Sequence, residues 1–453
     1  MRSSVIHIRK QTSFLVVCMA VVLVCSATAL PAAEWSAGFA QTVITPDEPI
    51  FMDGYGGRNH PAEGKVHDLF AKAAAFKDPA GQTVVLITTD LVGMPIKMVN
   101  YVSAEIEKSH GLKRSQLMFT CSHTHTGPAL DHDLSHMVAM SKDDWAKVLK
   151  YQKQLDQKIV KVISAAIKDL QPAKLSAGIG KAEFASNRRV PHGLGPYDHE
   201  VPVLQARSLD GKTLKGVVFG YACHSTVLSF YKWSGDYGGF AQLYLEDRHP
   251  GCVAMFFAGC GADQNPLPRR TVALAEKYGR MLAVGVDKVL ESGTKPVTGS
   301  LGFSFKNVDL EFERLPTKKE LEATAKNNGS RYEQGRANFL LKKIERDGKL
   351  SKTYPYPVQV WKIGNSATWV ALGGEVVVDY SLRLKKELGL GKTWVTGYAN
   401  DVMCYIPSER ILTEGGYEGA SSMIVYQKPS PWKTGLEKRI VDTVHELNTA
   451  IKK

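Results

Sequence analysis

Gln116-Leu117-Met118-Phe119-Thr120, followed by Cys121-Ser122-His123-Thr124-His125-Thr126-Gly127-Pro128, is an apolar run that breaks into two histidines and a Gly-Pro turn. A run of this length reads as a buried strand, and the turn residues mark its exit. In extended backbone, side chains at i and i+2 point to the same side, so one strand end aims both imidazoles into one cavity. A neutral imidazole binds zinc and also titrates near neutral pH, so His123 and His125 suit a metal or acid–base site. His132 and His136 lie close by, which leaves a surface histidine cluster as the plainer reading.

Outward from this stretch the chain alternates strands and helices, which predicts an α/β fold: a mixed sheet with flanking helices and a metal site at the carboxyl ends of strands. Upstream, residues 83–87 read as a buried strand leading to Asp90, and residues 96–110 as a helix stopped by Gly111. Downstream, apolar spacing predicts a helix over 143–170, a strand over 215–223 and a strand over 252–258. Helices are expected over 271–291 and 434–453, and paired strands over 359–371 turning at Gly364-Asn365. Residues 317–352 are strongly charged and read as a helical insertion on one large domain spanning 34–453. No repeat of 20–50 residues is visible, so solenoids and propellers are excluded.

Three further places carry chemistry. His224 leaves the strand at 215–223 and is followed by Ser225-Thr226, repeating the pattern of a strand exit with a histidine. By itself such a residue is more often structural. Two histidines leave a zinc site short of a ligand, and Glu375, after Gly373-Gly374, is a candidate carboxylate; a favourable acid at a helix start is the equal alternative. The loop Gly259-Cys260-Gly261-Ala262-Asp263-Gln264-Asn265 reads either as an oxyanion or substrate loop (Gly261, Asp263, Gln264, Asn265) or as a tight structural turn. It matches no phosphate-binding fingerprint. Asp236 is expected to cap the helix after it.

The first thirty residues read as a leader. A basic segment (Arg2, His7, Arg9, Lys10) precedes an apolar stretch over 14–24 and the small residues Ala27-Thr28-Ala29. Cleavage is expected after Ala29 or as late as Ala33; a retained anchor is the alternative, with an apolar core short of the ~20 residues that span a bilayer. Export to the periplasm or medium follows. Seven cysteines then fall to five without a CxxC, which excludes a disulfide-stapled scaffold; Cys252 and Cys260 either pair or stay as buried thiols. The net charge of +12 is spread over helices without an aromatic-basic stripe, so no nucleic-acid partner is expected, while a peripheral contact with anionic membranes is compatible with it.

With these residues in hand, the chain resembles the catalytic domain of the neutral/alkaline non-lysosomal ceramidases. The resemblance runs through Asp53-Gly54-Tyr55-Gly56, His67-Asp68, Ser122 to Pro128, Asn187-Arg188, Tyr221 to Thr226 and Ser234 to Gly239. It continues through Gly374-Glu375, Gly397-Tyr398-Ala399-Asn400-Asp401 and Tyr417-Glu418-Gly419-Ala420. It implies Zn2+ held by His123, His224, Glu375 and Tyr417, with His125 and Arg188 as catalytic residues and a lipid or other N-acyl amide as substrate. Nothing in the spacing of Tyr417 marks it as a ligand.

Two departures stand out. The loop after Ala258 lacks the family's catalytic serine, with Gln264 nearest that place, and the sequence carries no family-type C-terminal β-domain. The resemblance implies zinc-dependent amide hydrolysis outside the cytoplasm. The competing readings are a non-catalytic metal-containing binding protein on the same scaffold, and another metallohydrolase class such as the amidohydrolase barrels. The latter needs late histidine ligands, and after His249 the sequence has only His445.

Overall fold

Strands that are apolar along their whole length have two faces to bury, and the chain buries both. In Thr83–Thr89, Val84 and Leu86 join a central core while Val85 and Ile87 face a helix layer. The same alternation recurs in Val253–Ala258, where Met255 and Phe257 point inward and Ala254 and Phe256 outward. In Ala367–Leu372, Trp369 and Ala371 point inward and Val370 and Leu372 outward.

A computed structural model describes residues 34–191, 193–327 and 329–451; the leader at 1–29 or 1–33 lies outside them. The α/β class is as expected. Among the described residues the strands divide among three larger mixed sheets and three two-stranded ones.

The first sheet holds β1 (Ser36–Val43), β2 (Phe70–Lys77), β3 (Thr83–Thr89) and β4 (Leu117–Cys121). The second holds β5 (Lys174–Lys181), β6 (Glu200–Arg207), β7 (Leu214–Tyr221) and β8 (Val253–Ala258). The third holds β9 (Leu301–Glu311), β10 (Thr353–Ile363), β11 (Ala367–Leu372) and β12 (Thr393–Thr396). A two-residue segment extends the edge of each of the first two, Gln171–Pro172 and Lys295–Pro296.

Each larger sheet follows one plan. Three antiparallel strands are followed by a crossover helix and a fourth strand parallel to the third. The crossover helices are α1 (Ile96–His110), α3 (Asp236–Arg248) and α7 (Val378–Leu388). The inner faces of all three sheets meet in one core, where Phe76, Met118, Leu204, Phe257, Trp361, Trp369 and Trp394 pack together. Outside, α1 and α2 (Lys142–Lys168) cover the first sheet, α3 and α4 (Val272–Ser292) the second, and α7 with α8 (Leu436–Ala450) the third.

The charged stretch is two helices, α5 (Lys318–Lys326) and α6 (Arg331–Asp347), between β9 and β10. The sequence reading ran them together. Thr317 caps the first through a capping box with Glu320, and Ser330 caps the second. Residues Glu34–Lys453 form one compact unit. Among the described residues no helix is long and apolar enough to cross a membrane.

One surface feature yields a stability test. Asp156 on α2 is half-buried, its Oδ1 has no hydrogen-bond partner, and burial pushes its carboxyl up to about 6. The folded value exceeds the unfolded ~3.9, so the native state holds this proton more tightly and stability falls as pH rises from about 4 through 6. Asp156→Asn is expected to add about 1 kcal/mol at pH 7.5, discounted for partial exposure, and nothing at pH 4. Urea melts at both pH values check it.

Candidate metal centre

The third strand or the parallel fourth strand of each larger sheet ends in a residue of the centre. His123 and His125 follow β4, His224 follows β7 and Glu375 follows β11. All four side chains are buried. The Nε2 atoms of His123 and His224 lie 3.1 Å apart, and Nε2 of His125 lies 3.1 Å from that of His123. Glu375 Oε2 lies 3.3 Å from Nε2 of both His123 and His224.

The backbone explains how they converge, and it differs from the extended alternation expected for His123 and His125. Ser122 N–H continues the ladder to Thr89 O at 2.9 Å, but His123 has φ 55, in the left-handed region. The chain therefore turns at the first histidine rather than running straight through it. His125 N–H is caught by Ser225 O at 3.2 Å, which ties the two histidine loops together. At Gly374, with φ 72, a Cβ would stand 2.6 Å from Cys404 O, so only glycine brings Glu375 in on this path.

Hydrogen bonds behind the rings fix which nitrogen faces inward. His123 Nδ1 donates to Val92 O at 2.5 Å and His224 Nδ1 donates to Gly261 O at 3.0 Å. With the proton on Nδ1, a neutral ring presents a bare lone pair at Nε2. Two such lone pairs therefore face each other at 3.1 Å, beside a Glu375 Oε2 that has no hydrogen-bond partner. Such a cluster of bare acceptors is repulsive unless a cation lies among them.

The spacing fits one. A tetrahedral ion with bonds of ~2.0–2.1 Å holds its donor atoms roughly 3.3–3.4 Å apart. Among the described residues, His123, His125 and His224 form the one group of three or more acidic, thiol or imidazole residues with ligand-atom spacing suited to a metal.

Electrostatics agree with the geometry. Burial opposes charge on Glu375, but the imidazoles of His123 and His224 outweigh it and hold the carboxyl well below its usual range. Burial takes His224 down to about 4, and burial with the neighbouring imidazoles takes His125 well below its usual value. Neutral His224 and His125 beside an ionised Glu375 suit metal binding.

No protein-family model matches the sequence, and no curated protein sequence matches it. The crystal structure of neutral ceramidase from Pseudomonas aeruginosa does match the fold, with a TM-score of 0.72 at 19% identity over 93% of this chain and 75% of that one. A ceramidase complexed with C2 matches with a TM-score of 0.69, again at 19% identity, over 92% and 76%. The chain has the neutral ceramidase fold.

Within this fold, the other residues implied by the resemblance fall in different places. Tyr417 opens a short turn, Tyr417–Ser421, and lines a cavity together with His125 and Glu375. Among the described contacts its hydroxyl bonds to neither histidine nor to Glu375; the hydroxyl that meets Glu375 Oε1 belongs to Tyr426. Arg188 does not hold His125. Its Nε donates to Glu418 at 2.6 Å and its Nη2 to Tyr405 Oη at 3.2 Å, and its guanidinium lies over the rings of Tyr405 and Tyr417. The arginine that reaches His125 is Arg58, whose Nη2 donates to its carbonyl at 2.7 Å.

In the 259–265 loop, read from sequence as an oxyanion or substrate loop or as a tight turn, several backbone donors are engaged within the fold. Gly261 N–H is taken by Gly259 O, Ala262 N–H by Val376 O and Gln264 N–H by Gly261 O. Asp263 bonds Val378 N–H at the start of α7 and Asn187 Nδ2, while Gln264 and Asn265 are buried in a short pairing with 185–187. The loop is scaffold: it orients His224 through Gly261 O and Arg188 through Asp263 O.

Asp90 is likewise a backbone anchor, accepting Phe70 N–H at 2.9 Å. Asp236 sits at the first turn of α3, and bonds Leu228 and Tyr237 N–H. Cys252 and Cys260 are free buried thiols.

Residue spacing did not mark Tyr426, Tyr405 or Tyr398. Tyr398 packs its ring 4.2 Å from that of His123. In sequence such tyrosines are indistinguishable from ordinary core aromatics.

Proposed function

We propose that the protein is an exported zinc-dependent hydrolase of N-acyl amide bonds, with the ion held by His123, His224 and Glu375, and Tyr417 reaching it from the cavity wall. The observation that carries this reading is the pair of bare Nε2 atoms facing each other beside the unpartnered Glu375 Oε2. The ceramidase fold and the order of residues shared with that family support it. A bound zinc ion supplies Lewis acidity, polarising a carbonyl and bringing the pKa of a water toward ~7.

The chain's own residues do the rest. His125 has its Nε2 on the cluster side and a buried Nδ1 with no partner, and burial with the neighbouring imidazoles favours its neutral, proton-accepting form. It takes the proton of the attacking water as the C–O bond forms and passes it to the leaving nitrogen as the C–N bond breaks. Tyr405 accepts from Arg188, which leaves its own hydrogen for an acceptor in the cavity, such as the amide oxygen.

Purified protein is expected to carry about one zinc per chain and to hydrolyse members of an N-acyl amide panel. A chelator should abolish turnover and added zinc restore it. Turnover indifferent to the chelator, or no turnover of any amide by metal-loaded protein, rules the proposal out.

A further inference from the structure

Resting on the amidase reading, we infer that the substrate is a small N-acyl amide with a short acyl chain on a hydroxylated amine, and that α6 sets the limit on chain length. The cavity that exposes His125 and Glu375 has a volume of about 270 Å³. A cavity of ~150 Å³ holds one benzene and sites for drug-sized ligands run from ~300 Å³, so this one takes roughly a dozen non-hydrogen atoms before a ligand must reach past its walls. A palmitoyl group alone exceeds that.

The walls are of two kinds. Leu134, Met137 and Val425 form an aliphatic patch sized for a short acyl chain. Tyr55, Tyr332, Tyr405, Tyr417 and Tyr426 supply the remainder, as ring faces edged with hydroxyls. Aromatic bodies with polar tips suit a compact amine carrying hydroxyl groups, rather than a second hydrocarbon chain.

The boundary on one side comes from the inserted helix pair. Tyr332, in the first turn of α6, reaches the cavity over Gly56, where a Cβ would stand 2.5 Å from its hydroxyl. Arg331 bonds both Gly56 O and the Tyr332 hydroxyl. Further along, Phe339 packs on the His136 ring at 5.5 Å. The helix is thus held at its first turn and at its middle against the loops that frame the centre, and its tyrosine is a wall.

The test is a series of amides of one amino alcohol, N-acetyl, N-hexanoyl and N-palmitoyl, with zinc-loaded protein. The acetyl and hexanoyl amides are expected to exceed the palmitoyl amide at least ~100-fold in kcat/KM, since each methylene that meets a wall of the pocket costs ~10-fold or more. Tyr332→Ala, with zinc content and circular dichroism confirming the fold, should raise the ratio of palmitoyl to acetyl hydrolysis ~10-fold. Calorimetric titration with acetate, hexanoate and palmitate gives a readout free of turnover, with palmitate gaining no affinity over hexanoate. Preference for the palmitoyl amide, or an unmoved ratio in Tyr332→Ala, overturns the length limit while amide hydrolysis stands. No hydrolysis at any length overturns both.

Discussion

Replacing Glu375 with alanine is expected to empty the metal centre and to lower amide hydrolysis by ~10³-fold or more. Loss of a mere supporting partner behind a ligand costs ~10–100-fold in metal affinity, and Glu375 supplies the negative charge itself. It is the carboxylate in direct reach of both His123 and His224, at 3.3 Å from each. Two neutral imidazoles left alone offer no charge to offset desolvation of a dication.

The same variant makes a second expectation. Without metal, Glu375 Oε1 accepts from Tyr426 and the carboxyl is held low by His123 and His224, so its removal should lower the metal-free melting temperature at neutral pH. Zinc at ~1,000 times its Kd stabilises a native protein by ~4 kcal/mol, and this increment should vanish in Glu375→Ala. Elemental analysis and melting curves with and without zinc check both. A full zinc load in Glu375→Ala would place the ligand set on other residues.

Much of the fold was legible because so many strands are buried on both faces. A strand such as β8 is apolar at every position, and its crossover neighbours carry helical spacing, so the elements at 83–89, 96–110 and 253–258 emerge from local pattern. Their division into three sheets was not legible. Which strand pairs with which depends on inward-facing residues, such as Phe76, Phe257 and Trp369, that are far apart in sequence and meet only in the common core.

The centre divides in the same way. The His123–His125 pair was visible from spacing, although the left-handed turn at His123, not extended alternation, is what brings the rings together. His224 and Glu375 each had a structural alternative in the sequence, because their significance lies in the meeting of three sheet ends. Tyr426 had no local signal at all. Its hydroxyl meets Glu375 across 51 residues of chain. The engagement of Gly261, Ala262 and Gln264 N–H in the 259–265 loop was not legible either, because glycine-rich sequence shows that a turn is possible, not whether its N–H groups remain free.

Replacing His125 with alanine is expected to lower hydrolysis by ~10²–10⁴-fold while the zinc content stays at that of the native protein. The two readouts separate its roles. Its Nε2 stands as close to His123 Nε2 as that of His224 does, 3.1 Å in both cases, so distance alone does not distinguish a proton carrier from a third imidazole ligand. Retained zinc with lost turnover assigns proton transfer; loss of both would make His125 a ligand and remove the acid–base group from the proposal.

Gly54→Ala tests the same ring without deleting it. Gly54 has φ 94, and a Cβ there would stand 2.5 Å from His125 Cγ, with Tyr55 packed at 4.8 Å on the ring edge. The added methyl must push the imidazole aside, and a displacement of ~1 Å in a reacting group costs ~10²-fold. The three atoms nearest that methyl position all belong to His125, so Gly54→Ala should keep its zinc and lose its rate, following His125→Ala in kind and falling short of it in degree.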